Sequence, residues 1–197
     1  SELFSGIGIF LLLSNNNVIM HNNIYENEAY GISSLWSSGN LYKHNTSSNN
    51  RGKNGGFGIS LEVETNSRVM CNRVFGNVDG IYLGTGSNDN LLRGNLVVEN
   101  SFSGIGMMGS IRYGNWSDIA GGNLVKSNIV EGNWEYDLFE AYFDFDNGYF
   151  LLHPEGTCRN TWVKNQFGPD VLGPDGCLGD PVTLDEDDVC ALGEDDD

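Results

Sequence analysis

Two glutamates separated by one residue, Glu62 and Glu64, are the first candidates for chemistry in this chain. They end the segment 59–64, in which aliphatic and polar residues alternate with the period of two that is typical of a half-buried strand. Alternate residues of a strand stand about 7 Å apart on one face, which suits paired-carboxylate sugar chemistry or one bound Ca²⁺ ion. We therefore predict a catalytic role for this pair, and a solvated strand face is the alternative.

Two further groups of residues could hold a sugar chain beside the glutamates. A cation from the segment 51–53 could neutralise a uronate while a glutamate removes its α-proton. The segment 112–118 combines aromatic planes with hydrogen-bonding groups, as sugar-binding sites do, although a cap over a strand edge has the same composition. The predicted substrate-binding residues are Arg51, Lys53, Tyr82, Arg112, Tyr113, Trp116 and Asp118.

A possible metal site follows later in the chain. Asp144 and Asp146 with Gly148 resemble the opening of a calcium loop, but the EF-hand spacing and its closing Glu are missing. Ca²⁺ is the cofactor to consider here, and a polar turn is the alternative. His21, His44 and His153 are interpreted as lying in different phases of the repeat, so they are not expected to share a ligand.

The four cysteines bear on the cellular compartment. Cys158 and Cys177 bracket a segment rich in Gly and Pro, and we predict a disulfide between them, which would contribute about 3 kcal/mol. Four cysteines allow three pairings, and the sequence leaves the partners of Cys71 and Cys190 open. The sequence contains no CxxC pair, so a zinc site is not expected. We therefore expect an oxidising, exported location, either secreted or at the cell surface.

Composition excludes some partners. The formal net charge is −17, and nine of the 27 acidic residues lie from Asp180 onward. Nucleic acid is excluded because its binding depends largely on Lys and Arg neutralising phosphates, and anionic membrane surfaces are excluded for the same reason. The apolar stretch Leu3–Leu13 is too short for a transmembrane span.

The elements that must position these residues belong to a repeat. Two asparagines five positions apart recur six times, and between Asn72 and Asn95 the period is 23 residues. Each copy is predicted to be one coil with a Gly-Ile strand and a second strand that leads into the asparagines, and neighbouring coils must stack to bury their apolar faces. The copies are Asn22/Asn27, Asn40/Asn45, Asn72/Asn77, Asn95/Asn100, Asn128/Asn133 and Asn160/Asn165.

Three insertions, 46–57, 109–120 and 144–157, are predicted to wall a groove over the Gly-Ile strands. Its predicted floor consists of Ser60, Glu62, Glu64, Tyr82, Gly84, Gly106 and Met108. The domain limits are predicted as a solenoid over 1–167, a C-terminal cap over 168–180 and an acidic tail over 181–197.

The asparagine pattern followed by Gly-Ile, from about Ser5 to Phe167, resembles right-handed parallel β-helix repeat proteins of the pectate-lyase-like superfamily. The resemblance implies an all-β fold, namely a single-stranded right-handed parallel β-helix (β-solenoid) of about six to seven coils with a disulfide-closed C-terminal cap. It leaves the function open, because the superfamily includes polysaccharide lyases, hydrolases, epimerases and noncatalytic surface proteins. The catalytic motifs of polygalacturonase-like enzymes and of mannuronan epimerases are absent.

Two classes of function remain. The first is an extracellular noncatalytic β-helix with a structural, adhesive or glycan-binding role, and the second is a polysaccharide-active lyase, hydrolase or epimerase, or a fragment of one. Polysaccharide is the expected ligand. Phe10, Leu12 and Trp36 are predicted to form an apolar patch near the first coil. We expect this patch to be covered by another protein chain that stacks there or by a further N-terminal segment.

Overall fold

The computed structural model describes residues 6–52, 55–112, 115–116, 120–144, 146–152, 158–174, 176–184 and 190, with the backbone alone at 110–112, 115–116 and 149. The described residues form 21 β-strands. In chain order they are β1 (Ile7–Leu12), β2 (Val18–Met20), β3 (Asn23–Tyr25), β4 (Tyr30–Leu35), β5 (Leu41–Lys43), β6 (Thr46–Ser48), β7 (Phe57–Glu62), β8 (Arg68–Met70), β9 (Arg73–Phe75), β10 (Asp79–Leu83), β11 (Leu91–Arg93), β12 (Leu96–Val98), β13 (Ser103–Arg112), β14 (Asn115–Trp116), β15 (Leu124–Lys126), β16 (Ile129–Glu131), β17 (Tyr136–Asp144), β18 (Tyr149–Leu151), β19 (Thr161–Val163), β20 (Gln166–Phe167) and β21 (Val171–Leu172).

The strands stack into three parallel sheets that run the length of the molecule. Sheet A contains β1, β4, β7, β10, β13 and β17, with β21 as the start of a seventh coil. Sheet B contains β2, β5, β8, β11, β15 and β19, and sheet C contains β3, β6, β9, β12, β16 and β20. The predicted β-helix of six to seven coils is therefore confirmed, although each coil has three strands rather than two.

Left-handed backbone conformations turn the chain from one sheet to the next. At the corner between sheets B and C the φ angles of five stacked non-glycine residues lie between 52° and 57°. A bulky residue in this region is uncommon, so each corner is sustained by the strands on both sides of it. These residues are His21, His44, Cys71, Ser127 and Lys164.

Three asparagine ladders close the gaps between the strands. In the middle ladder the Oδ1 atom of each asparagine accepts hydrogen bonds from both the backbone N–H and the side-chain amide of the asparagine one coil earlier. This ladder consists of Asn22, Asn45, Asn72, Asn95, Asn128 and Asn165. Two flanking ladders lie five residues before it and five residues after it.

Each coil has a third asparagine position, which the pairs of asparagines in the sequence did not reveal. Asn40 and Asn160 belong to the first ladder, whereas Asn22, the first member of its own pair, belongs to the second. Ser67 takes the asparagine position of the first ladder, accepting a hydrogen bond from the backbone N–H of Asn40 and donating its own to Asn90 Oδ1. The repeat therefore has three positions, one of which tolerates serine.

The third ladder ends on an aspartate. Asp137 Oδ1 accepts hydrogen bonds from the backbone N–H of Asn133 at 3.1 Å and from its amide at 2.9 Å. Asp137 Oδ2 accepts a further bond from the backbone N–H of Gly168. A carboxylate only accepts, so it satisfies donors on both sides and stops the ladder where the sixth coil meets the cap.

The core is a stack of aliphatic residues, with one fully aligned column from sheet A: Ile9, Ile32, Ile59, Ile81, Ile105 and Leu138. Two polar aromatic residues interrupt the core column of sheet B, and a buried glutamate meets each of them. Tyr42 donates its hydroxyl to Glu64 at 3.2 Å, and the indole N–H of Trp162 donates to Glu140 at 2.9 Å. Each of these buried polar groups therefore has a hydrogen-bond partner.

The first insertion is shorter than the sequence predicts. Residues 46–48 form the regular strand β6, and the coil that follows is 27 residues long where its neighbours have 23. The later coils reach 33 and 37 residues, and they lengthen sheet A through the hairpins β13–β14 and β17–β18. None of the described residues forms a helix that is long and apolar enough to cross a membrane.

Two disulfides tie the C-terminal part of the chain to the β-helix. The predicted Cys158–Cys177 bond is confirmed and closes the cap. The second bond joins Cys71 to Cys190 across 119 residues. Val182 donates its backbone N–H to Asn165, so at least part of the predicted tail continues along the last coil.

Candidate functional site

The outer face of sheet A carries a row of aromatic rings. Strand register places Tyr30 beside Phe57 on neighbouring coils, and their rings stack with centroids 5.0 Å apart and planes 9° apart. Tyr82, on the next coil, continues the row, with its ring centroid 5.0 Å from that of Phe57. We call these three residues the aromatic row; no feature of the asparagine repeat predicted Tyr30 or Phe57.

A second aromatic group continues this face toward the cap. Phe139 belongs to the same buried cluster as Tyr82 and lies over Gly106, where any Cβ atom would collide with its ring. Phe150 from the β17–β18 hairpin packs 5.8 Å from Phe139. Gly106 was predicted as groove floor, and the structure shows that an aromatic ring covers it.

Two carboxylates border the aromatic row at opposite ends of the strands. Glu62 ends β7, and Asp79 begins β10, where it aligns with Phe57. Burial raises the pKa of the Glu62 carboxyl above its usual range. Burial also raises the pKa of Asp79 to about 6, while a hydrogen bond from the Ser103 hydroxyl partly opposes the shift. Both carboxylates therefore lie beside aromatic rings, with Asp79 buried and Glu62 still accessible to solvent.

The Tyr82 phenol links these groups. Its pKa is raised by burial first and then by the negative charges of Glu62 and Asp79. Gly84 allows the side chains of Glu62 and Tyr82 to lie close to its backbone, because a Cβ atom there would lie 3.0 Å from Glu62 Cγ and 3.1 Å from the Tyr82 ring. The predicted site residues Glu62, Tyr82 and Gly84 are thus brought together, and Asp79, which no sequence pattern predicted, joins them.

Ser60 is unusual among the described residues. It lies in β7, in register with Ser33 and Tyr82, and it is fully buried. Its hydroxyl is the one buried side-chain polar atom in the described part of the chain without a hydrogen-bond partner. A buried polar group without a partner costs about 1–3 kcal/mol, so this hydroxyl is a natural contact for a bound ligand.

Glu64 does not share a face with Glu62, and that prediction is wrong. β7 ends at Glu62, and Val63 adopts a φ of 52°, which turns the next side chain into the core. Glu64 is fully buried, whereas Glu62 is exposed. The alternation that was read through residue 64 stops two residues earlier, so the glutamates do not form a pair.

The Glu64 carboxylate is fully occupied by neighbouring donors. It accepts hydrogen bonds from the hydroxyls of Ser34 at 2.7 Å and Ser67 at 2.6 Å, and from the amide of Asn40 at 2.8 Å. The Tyr42 hydroxyl supplies a fourth bond. With four donors and no exposure, this carboxylate serves the interior rather than the outer face of sheet A.

The predicted basic and loop residues are only partly described. Arg51 donates its Nε–H to the Gly76 carbonyl at 2.6 Å, at the corner that precedes the sheet A strands. Glu62 lies at the far end of those strands, about five residues or 16 Å further along, so the two are not brought together. Lys53, Tyr113 and Asp118 fall outside the described residues, and for Arg112 and Trp116 the structure gives only their backbone pairing in the β13–β14 hairpin.

The predicted metal residues form a turn. Asp144 Oδ1 accepts hydrogen bonds from the backbone N–H groups of Asp146 and Asn147, and Oδ2 accepts one from the Asn147 amide. The Asn147 amide, followed by the backbone donors, lowers the pKa of Asp144. The described residues contain no group of three or more His, Cys, Asp or Glu that could hold a metal ion. Ca²⁺ binding by Asp144 and Asp146 stays a prediction.

Two other expectations can be compared with the structure. His21 and His44 do share a phase of the repeat, since their rings stack with centroids 5.2 Å apart, and the expectation that they differ is wrong. Leu12 and Trp36 lie at the surface, 41% and 54% exposed, and Phe10 is half-buried. Whether a second chain covers this patch stays a prediction.

Comparisons with known proteins agree with the geometry of the coils. A family model described as "Right handed beta helix region" matches residues 4–167. A double mutant of the periplasmic alginate epimerase AlgG superposes with a TM-score of 0.64 at 20% identity, over 85% of this chain and 35% of that one. Unsubstituted AlgG gives a TM-score of 0.58 at 19% identity, over 82% of this chain and 35% of that one.

The A-module of the mannuronan C-5 epimerase AlgE6 from Azotobacter vinelandii has a TM-score of 0.46 at 16% identity, over 85% of this chain and 57% of that one. No curated protein sequence matches the chain. The chain spans about a third of the length of the AlgG structures it matches. At these identities the likeness is one of fold.

Proposed function

We propose, from the premise that this chain belongs to the right-handed β-helix family, that it is an exported, noncatalytic β-helix that binds polysaccharide on the outer face of sheet A. The observation that carries this proposal is the aromatic row Tyr30, Phe57 and Tyr82, whose rings contact one another across three consecutive coils beside Glu62 and Asp79. Aromatic rings present flat apolar surface, and carboxylates accept hydrogen bonds from hydroxyl groups. Both features suit the face and edge of a sugar ring.

The spacing of the row supports an extended ligand. Coils repeat at about 4.8 Å, so successive rings form a continuous strip along the axis of the helix rather than a closed pocket. The fold neighbour AlgG is named as an alginate epimerase, which makes a polysaccharide a reasonable ligand to test for this fold. The two disulfides support export, because such bonds persist in oxidising compartments.

The state of the carboxylates favours binding over catalysis. Glu64 is enclosed by four donors, and Arg51 is bonded to a backbone carbonyl at the other end of the strands. No described Lys or Arg is therefore placed beside Glu62 to stabilise a charged intermediate. Noncatalytic binding needs neither a base nor such a cation.

A second candidate function rests on a different observation. Glu62 and Asp79 both have raised pKa values and both act on the Tyr82 phenol, an arrangement that suits proton transfer to or from a sugar. If the protein is a lyase, hydrolase or epimerase, these three residues are its candidate catalytic groups. Glu64 is then a structural residue.

Binding should be measured first, because both candidates require it. Affinity electrophoresis against a panel of neutral, cationic and anionic polysaccharides would identify a ligand, and Tyr30→Ala should weaken its binding about tenfold. The matched control is Tyr25→Ala, which removes an exposed tyrosine from the outer face of sheet C. Equal losses in the two variants, or no binding by the native chain, would overturn the proposed site.

Catalysis is tested on the same ligand. Chromatography of the polysaccharide after long incubation should show no new ends, no unsaturated sugar and no changed epimer. A product that disappears in Glu62→Gln would replace the noncatalytic proposal with the enzymatic one.

A further inference from the structure

We propose that the ligand of the outer face of sheet A is an amine-bearing glycan, a chain of sugars with protonated amino groups, rather than a uronate or a neutral polysaccharide. This inference rests on the proposed function and names its ligand class. It comes from the distribution of charge and aromatic surface over the three sheets.

Charge is divided between the sheets. Among the described side chains, the outer face of sheet A has the carboxylates Glu62 and Asp79 next to its aromatic row and no Lys or Arg. The cations lie on the other faces, where the outward positions of sheets B and C contain Lys43, Arg68, Arg73, Arg93 and Lys126. A uronate chain laid on sheet A would meet like charge at both ends of the strands.

Aromatic rings and carboxylates together are the combination that attracts an ammonium group. The face of an aromatic ring carries negative potential and binds a cation within about 6 Å of its centroid. Tyr30, Phe57 and Tyr82 pack ring against ring on consecutive coils, so the half-buried rings of Tyr30 and Phe57 are the part that a ligand can reach. The carboxylates lie close enough to Tyr82 to raise the pKa of its phenol. An amino group on the sugar would meet the accessible part of this aromatic row and a carboxylate together.

Two further features fit a ligand with donors. Desolvation raises the pKa values of Glu62 and Asp79, so each carboxylate gains when a positive group approaches it. The Ser60 hydroxyl, buried in the same strands, has no protein partner among the described residues. Hydroxyl and ammonium groups of an amino sugar are donors that could satisfy these acceptors.

The decisive comparison keeps the sugar chain constant and changes only its charge. Isothermal titration should compare a glucosamine oligomer, the N-acetylglucosamine oligomer of the same length, and a mannuronate oligomer, at a pH where the free amine is protonated. We expect the glucosamine oligomer to bind about tenfold more tightly than its acetylated form, as one charge-assisted contact would give, and the mannuronate oligomer not to bind.

The outcomes separate this inference from the proposed function. Equal or tighter binding of the acetylated or the mannuronate oligomer would overturn the amine preference and leave polysaccharide binding intact. No binding of any oligomer, together with none on the polysaccharide panel, would overturn both.

Charge variants locate the effect. Glu62→Gln keeps the shape of the side chain and removes its charge, and it should weaken binding of the glucosamine oligomer about tenfold and binding of the acetylated oligomer by much less, because only the hydroxyl contacts to this side chain are changed there. Glu99→Gln is the matched control, because it changes net charge equally at an exposed corner beyond sheet C. If both variants weaken binding equally, the preference reflects the overall negative charge, and the assignment to this face is wrong.

Discussion

Replacing Asn95 by Leu tests how much the asparagine ladders stabilise the fold. Asn95 is fully buried in the middle ladder. Its Oδ1 accepts two hydrogen bonds from Asn72, both at 3.0 Å, and its amide donates to Asn128 Oδ1 and to the Val69 carbonyl, both at 2.9 Å. Leucine has the same number of side-chain heavy atoms with the same branching, but it makes none of these four bonds.

The expected cost follows from those four bonds. At a net value of about 1 kcal/mol each they sum to about 4 kcal/mol, and the apolar surface of leucine returns about 1 kcal/mol. The backbone N–H of Asn72 also stays buried without its acceptor, and this sets a lower limit on the loss of stability. We therefore expect the free energy of unfolding to fall by about 3 kcal/mol, and the melting temperature by about 10 °C for a chain of this size.

Two controls accompany the measurement by circular dichroism. Asn95→Ser should cost about half as much, because Ser67 already occupies a ladder position and its hydroxyl accepts the Asn40 backbone N–H at 2.8 Å. Asn23→Leu changes an exposed, outward-facing asparagine of β3 and should alter stability by no more than about 0.5 kcal/mol. If Asn95→Leu has the same melting temperature as Asn23→Leu, or Asn95→Ser the same as Asn95→Leu, the ladder does not stabilise the fold through these hydrogen bonds.

Three further predictions concern buried charge and close packing. Burial raises the pKa of Asp79 from 3.8 to about 6, so folding favours the protonated carboxyl and the native protein gains stability as the pH falls from 6 to 4. Asp79→Asn should therefore be more stable than the native protein by about 2 kcal/mol above pH 6. Denaturant titrations in which this difference in unfolding free energy does not narrow toward pH 4 would contradict the prediction. Glu64→Leu leaves its buried donors without an acceptor and should lower the free energy of unfolding by about 3 kcal/mol, whereas Glu62→Leu should change it by less than about 1 kcal/mol in the same titration. Gly80→Ala places a Cβ atom 2.5 Å from the Gly104 carbonyl oxygen and should lower the melting temperature by several degrees, about 2 kcal/mol in stability, so an unchanged melting curve would count against the packing described.

The repeat predicted the fold because its signal is local and redundant. Asparagines at regular intervals and aliphatic residues in phase occur in every coil, so errors in single copies do not matter. The sequence did not reveal that Asn40 and Asn22 belong to different ladders, because a pair of asparagines looks the same in either position. Only hydrogen bonds between coils distinguish the positions.

The site was harder to predict because it depends on the ends of strands. Val63 takes a left-handed conformation that period-two alternation cannot reveal, and this one residue moves Glu64 from the surface to the core. Asp79 was missed because the Gly-Ile pattern begins one residue after it. Aligning the residue before each Gly-Ile pair would have placed Tyr30 and Asp79 in one column, since Phe57 joins them by strand register.

The pairing of Cys71 with Cys190 was open in the sequence for a related reason. Only the stacked corners show that residue 190 lies over the corner at Gly94, one coil beyond Cys71. Sequence separation gives no guide to such a contact, because 119 residues are compressed into a few coils. The shorter Cys158–Cys177 pair was predictable from its compact, turn-rich loop.

The Cys71–Cys190 bond also determines how the rod transmits tension. A stack of coils pulled from its two ends would normally unwind one coil at a time from either end. Here a force applied beyond Cys190 passes directly to Cys71 in the third coil, and the coils enclosed by the 119-residue loop bear none of it. Residues 6–70 can unwind to a contour length on the order of 200 Å, while roughly twice that length stays held until the disulfide is reduced. The aromatic row spans this boundary, with Tyr30 and Phe57 on the stretch that tension can unravel and Tyr82 on the part that is shielded from it.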